Sequence, residues 1–154
     1  MSPQSDPHAA AVGFTADALR AIFSRGFFVR EEKPLVLSET SEPEPDVVVA
    51  RGSQRETPRH PTPANTVLVV EVADSSLNMD RTLKLELYAR HGIPEYWILN
   101  LRDRQLEVFR EPSEVDSRRA SYLETTHLTE HDSIAPLGAP AHSIAITDLL
   151  PSLI

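Results

Sequence analysis

Apolar residues recur at spacings of three and four near the start of the chain, where Ala11, Phe14, Ala18, Leu19 and Ile22 form one stripe. That period predicts an amphipathic helix. Asp6 suits its N-cap, Pro7 its first position, and Gly26 the stop beyond its end. Gly13 weakens its middle by roughly 1 kcal/mol. The period then shortens. The stretch FFVREEKPLVLS reads as one or two short strands, broken at Pro34. DVVVA is wholly apolar and is expected to be covered on both faces. Residues 51–65 carry three prolines and no apolar period, so they read as a loop. TVLVVEVA follows as the central strand.

A second helix is predicted within DSSLNMDRTLKLELYARHG, capped by Asn78 or Asp80 and ended by Gly92. Leu83, Leu87, Ala89 and the stem of Arg90 are expected to face the core. PEYWILNL and QLEVFR form a hairpin across RDRQ, and PSEVDSRRA reads as a polar turn. A strand near SYLETTHL and the ending HSIAITDLLPSLI complete the chain. Helix, strands, helix, strands is the order of an α/β or α+β domain, a sheet with helices packed on it.

Two apolar runs each carry one carboxylate: Asp46 at the mouth of the first and Glu71 inside the second. A carboxylate buried among valines costs several kcal/mol unless something pairs with it. If the two strands lie side by side, both carboxylates can hold one hard cation, and the backbone carbonyl of Val72 is a further oxygen donor beside Glu71. Magnesium suits such a site, with manganese as a substitute; it takes one or two carboxylates, water and phosphate oxygens. It would polarise a phosphate and lower the pKa of an attacking water. Lys84, on the following helix, is placed to stabilise charge developing on the phosphate. Tyr88 lies four residues on, on the same helical face, and can hold the lysine in place.

Composition changes this picture modestly. A chain of 154 residues fits one domain and buries roughly 70% of its unfolded surface. No apolar run approaches the roughly 20 residues of a membrane span, and the polar start has no signal core. With no cysteine, disulfide frameworks and thiolate zinc sites are excluded, and a cytoplasmic setting is expected. The net charge of −8 is unusual for a nucleic-acid binder, although a local basic patch can act inside an acidic chain.

The segments SEPEPDVVVARG, VLVVEVADSSLNMDRTLKLELYARHGIPEYWILNL and LEVFREP, in this order and spacing, resemble the Uma-two family of restriction endonucleases, a branch of the PD-(D/E)XK superfamily. The resemblance implies a restriction-endonuclease-like core, a central mixed sheet flanked by helices, as one domain over residues 1–154. It also implies a magnesium-dependent endonuclease acting on DNA. Asp46 matches the aspartate of the PD element and Glu71 the acid of the second element. The lysine usual two residues later is replaced by Ala73; Lys84 takes its place, and Tyr88 matches the tyrosine of K-x-x-x-Y. Family members usually carry a preceding segment with a YELIDGE-like motif, absent from this sequence, which begins at the family's histidine-bearing helix with His8. Asn100 stands where the family often has aspartate. A homodimer is expected, since two strand cuts need two sites.

Plainer readings stand beside these. Asp46 suits a turn after Pro45. Glu71 and Lys84 suit a structural ion pair, Lys84 a solvated helix position and Tyr88 core packing with a polar tip. His8 reads as a surface histidine. Arg51, Arg55, Arg59 and His60 read as a solvated loop, with contact to a phosphate backbone as the alternative. At the level of function, the rivals are an inactive nuclease fold serving as a binding or assembly module, and a hydrolase of another phosphodiester such as RNA.

Overall fold

The computed structural model describes residues 5–153. Helix α1 spans Asp6–Ile22, and Ser5 rather than Asp6 is its N-cap, its Oγ accepting the N–H of His8 at 3.2 Å. The same Oγ donates to Asp74 at 3.0 Å, which ties the start of α1 to the segment after the central strand. Ala11, Val12, Ala16 and Leu19 form its buried stripe.

Six strands form one mixed sheet in sequence order: β1 (Phe27–Glu31), β2 (Val47–Arg51), β3 (Thr66–Ala73), β4 (Glu95–Asn100), β5 (Gln105–Asp116) and β6 (Arg119–Thr129). Neighbours run antiparallel except β3 and β4, which are parallel in the register Val69↔Tyr96 to Ala73↔Asn100. A parallel pair requires a crossover. Here the crossover is a helix in three consecutive pieces, α2 (Leu77–Met79), a π-helical turn (Asp80–Lys84) and α3 (Leu85–Arg90). Beyond β6, the short strands β7 (Ser133–Ile134) and β8 (Ile144–Ala145) pair with each other, and a 3-10 helix, Ile146–Leu149, follows.

Side chains alternate across the sheet and so build two cores. Val47, Val49, Leu68, Val70, Val72, Trp97 and Leu99 pack under α1 and the 3-10 helix. Val48, Val69, Ala73, Tyr96, Ile98 and Phe109 pack under the crossover helix. Both faces are thus covered, as the unbroken apolar runs of β2, β3 and β4 anticipate.

Two expectations are corrected, and a third is narrowed. Leu83 does not face the core; it is 68% exposed. It lies within the π turn and faces solvent, while Asp80, Lys84 and Tyr88, spaced by four, point inward. PSEVDSRRA is not a turn. Both of its arms are paired, from Pro112↔Tyr122 to Asp116↔Arg119, because a ladder satisfies the backbone whatever the side chains. The bend is made at residues 117 and 118, where Asp116 Oδ1 accepts the N–H groups of Arg118 and Arg119. FFVREEKPLVLS yields one strand, β1; past Pro34 the backbone turns, with Leu35 donating to Pro43 and Leu37 to Ser41.

Candidate active site

Glu71 lies on β3, on the face covered by the crossover helix, and is buried. Its Oε1 accepts the backbone N–H of Asp46 at 3.1 Å. Its Oε2 accepts the Tyr88 hydroxyl at 2.9 Å and lies 3.0 Å from Lys84 Nζ. Asp46 enters β2 beside it, and its Oδ2 accepts the N–H of Val72 at 2.7 Å. The two strands are therefore cross-linked, the Asp46 N–H donating to Glu71 and the Val72 N–H to Asp46. The antiparallel register Val47↔Val70 makes this exchange possible.

Of the residues singled out in the sequence, Asp46, Glu71, Lys84 and Tyr88 converge. Val72 contributes its N–H to Asp46, while its side chain packs in the opposite core. Asp80 and His8 were assigned plainer parts. Asp80 is no cap: it is wholly buried, accepts from Ser76 Oγ at 2.8 Å, and places Oδ1 3.3 Å from Lys84 Nζ. The sequence held a signal for it, since Asp80, Lys84 and Tyr88 are spaced by four along one helix. His8 is no surface residue: its Nε2 is 3.4 Å from Asp46 Oδ2. Nothing local in the sequence announces that contact, which the docking of α1 creates. Asn100, buried at the end of β4, closes the β4–β5 turn by donating to Asp103 and accepting its N–H.

The charges are strongly coupled. Burial pushes the Glu71 carboxyl up to about 7, against the pull of Lys84 and with the help of Asp46 and Asp80. Burial likewise raises Asp80. Burial alone would lower the Lys84 ammonium, but Glu71 and Asp80 together outweigh it and hold the ammonium above its usual value. The hydrogen bond to Asp46 raises His8 against the opposing effect of burial. Tyr88 is pushed well up, chiefly by burial and then by Glu71, so it remains a donor. Beneath these groups Tyr96 donates to the Asp80 carbonyl at 2.9 Å. To one side Arg81 clamps the buried Glu107 of β5 through both carboxylate oxygens, fixing the π turn to the sheet.

Glu71 and Asp80 face Lys84, and Asp46 lies beside Glu71 against His8, so a cation held between Asp46 and Glu71 would relieve the repulsion of these neighbouring acids. Among the described residues no three His, Asp or Glu side chains converge in metal-ligating geometry. Magnesium asks for less, one or two carboxylates with water completing its shell. Asp46 and Glu71 supply that donor chemistry from adjacent strands, and Oδ1 of Asp46 carries no hydrogen bond among the described residues.

A mixed sheet with acids at the mouths of adjoining strands and a lysine on the crossover helix defines a restriction-endonuclease-like domain. The model of the Uma2 family, described as "Putative restriction endonuclease", matches residues 1–145, and the chain belongs to that family. Among solved structures, the fold resembles a protein described as "a putative nuclease belonging to DUF820" from Anabaena variabilis ATCC 29413. The TM-score is 0.66 at 16% sequence identity, over 97% of this chain and 82% of the other. No curated protein matches the chain in sequence. No helix among the described residues is long and apolar enough to cross a membrane.

Proposed function

We propose that this protein is a metal-dependent nuclease that hydrolyses DNA phosphodiester bonds. The observation that carries the reading is the environment of Glu71: a buried carboxylate shared by the Asp46 backbone, Lys84 and Tyr88, with two further acids beside it. A purely structural ion pair needs one acid and one base, not Glu71 and Asp80 on one lysine with Asp46 beside them. Asp46 and Glu71 would hold magnesium or manganese, with the Val72 carbonyl as a third oxygen donor. When bound, that ion supplies charge to polarise a phosphate oxygen and acidify water.

The chain's own groups do the remainder. Tyr88 fixes the rotamer of Glu71 by donating to Oε2. Lys84 stays protonated, held by Glu71 and Asp80, and lends its ammonium to the charge that builds on the phosphate in the transition state. Asp80, by pairing with Lys84, orients that ammonium rather than touching the substrate.

A second reading has one observation in its favour. Both oxygens of Glu71 are already satisfied by protein donors, as a binding module without catalysis would have them. Plasmid cleavage with magnesium or manganese, run beside Asp46→Ala, Glu71→Ala and Lys84→Ala, separates the two. Cleavage abolished in all three variants supports the nuclease. A folded wild type that neither cleaves DNA or RNA nor binds metal in calorimetry supports the module.

A further inference from the structure

The cations of this acidic chain are not spread evenly. Arg20, Arg81, Lys84, Arg90, Arg102, Arg104, Arg110 and Arg119 all lie within ion-pair distance of a carboxylate. The side chains of Arg25, Arg30, Lys33, Arg51, Arg55, Arg59 and Arg118 have no such partner among the described residues. Except for Arg118, these unpaired cations come from two short segments, residues 25–33 and 51–59. The register brings the two together: Phe27 pairs with Arg51 and Arg30 with Val48. Gly52, at φ 124°, turns the chain out of β2 and donates its N–H to Gly26, so the loop folds back over β1.

The result is a basic rim around a concavity. A cavity of about 330 Å³ is lined by Phe28, Arg51, Arg59 and His60. An adjoining one of about 610 Å³ shares Phe28 and adds Arg25, with Glu56 as its one acid. Arg30 spans the space beneath, donating to His60 Nδ1 at 3.0 Å, while its Nη1 finds no acceptor. Burial without a carboxylate lowers the Arg30 pKa, as expected for a guanidinium lacking its counter-anion.

We infer that the β1–β2 edge and the loop over it, with Arg51 and Arg59 lining the concavity and Arg55 exposed on the loop between them, form the track for the phosphate backbone of the nucleic acid flanking the cleaved bond. The inference rests on the nuclease reading and adds to it a place and a length. Asp46 and Arg51 stand at opposite ends of β2, about 16 Å apart at roughly 3.3 Å per residue. Phosphates on one strand are spaced at about 3.4 Å along the duplex axis. With the duplex axis laid along β2, the arginine rim meets phosphates about five nucleotides from the bond held at Asp46 and Glu71. Arg30, midway along the pair, lies under the intervening ones. Phosphate contacts of this kind position the nucleic acid without reading its sequence.

The test is duplex binding by fluorescence anisotropy in EDTA, from about 50 to 200 mM salt, where each lost phosphate contact lowers the slope of log K against log salt by about 0.9. The protein is compared with its Arg51→Gln/Arg55→Gln/Arg59→Gln variant and with Arg118→Gln. Magnesium-dependent cleavage is followed in parallel. The triple variant is expected to lose about 2 to 3 from the slope while Arg118→Gln loses none. Should the triple variant misfold by circular dichroism, Arg55→Gln alone carries the test, with an expected loss of about 1. A wild type that cleaves, with an unchanged slope in the variants, overturns the track and leaves the nuclease standing. An equal loss in Arg118→Gln also overturns it, by showing that the charge acts diffusely. A wild type that neither binds nor cleaves overturns both readings.

Discussion

In EDTA, this protein is expected to gain stability on mild acidification, against the usual behaviour of proteins whose carboxylates are paired. Glu71 is the cause. Its carboxyl stands at about 7 in the folded chain against an ordinary 4.5, so between these values the native state binds more protons than the unfolded one. Its contribution to stability is then fully present below 4.5 and is lost as pH rises through 7. Moving from about pH 7.5 to 5.5 crosses most of that window and is worth about 2 kcal/mol, at roughly 1.4 kcal/mol per unit where the difference is fully expressed. His8, also raised, acts with the same sign, its contribution being lost as pH rises through its folded value. For a domain of this size the gain corresponds to a Tm higher by about 4–8 °C. Thermal unfolding in EDTA at the two pH values measures it, with Glu71→Gln as the comparison. The amide mimics the protonated acid, so the variant is expected to lose most of the pH dependence. Identical profiles for wild type and Glu71→Gln would refute the assignment of the raised carboxyl to this residue.

Other outcomes follow from single contacts. Tyr88→Phe removes one of the donors to the buried Glu71 Oε2 and is expected to cost about 1–3 kcal/mol in urea unfolding, with cleavage reduced further through a misaligned Glu71. Arg81→Ala leaves the buried Glu107 without its clamp and is expected to cost about 3 kcal/mol by the same measurement. Gly138→Ala would bring a Cβ to 2.9 Å from the Phe23 ring; a loss of about 1–3 kcal/mol is expected from overpacking, visible as a lower Tm with magnesium-dependent cleavage retained at low temperature.

The strands and the crossover were legible in the sequence because burial on both faces leaves unbroken apolar runs, as in DVVVA and TVLVVEVA. The convergence of Asp46, Glu71, Lys84 and Tyr88 was legible for the opposite reason: a charge inside such a run demands a partner. Three things were not written locally. The β5–β6 arms are polar and paired at once, so side-chain pattern says nothing of them. Leu83 and Leu87 read as one core stripe, yet only Leu87 packs on the core and Leu83, in the π turn, is exposed. His8 reaches Asp46 only because the whole of α1 docks beneath the sheet, a contact spanning most of the N-terminal third of the chain.

That π turn has a consequence for how the protein tolerates change in length. It carries one residue more than an α turn would between Asp80 and Leu85. A deletion of Thr82 would remove that extra residue and leave a regular helix in which Asp80, Lys84 and Tyr88, now three and seven apart, still share one face above Glu71. The arrangement thus depends on a shared helical face, which either turn geometry preserves. A variant that keeps every charged residue and loses this single threonine is expected to fold and to retain cleavage, and loss of cleavage by that folded variant would show that the wider turn is required.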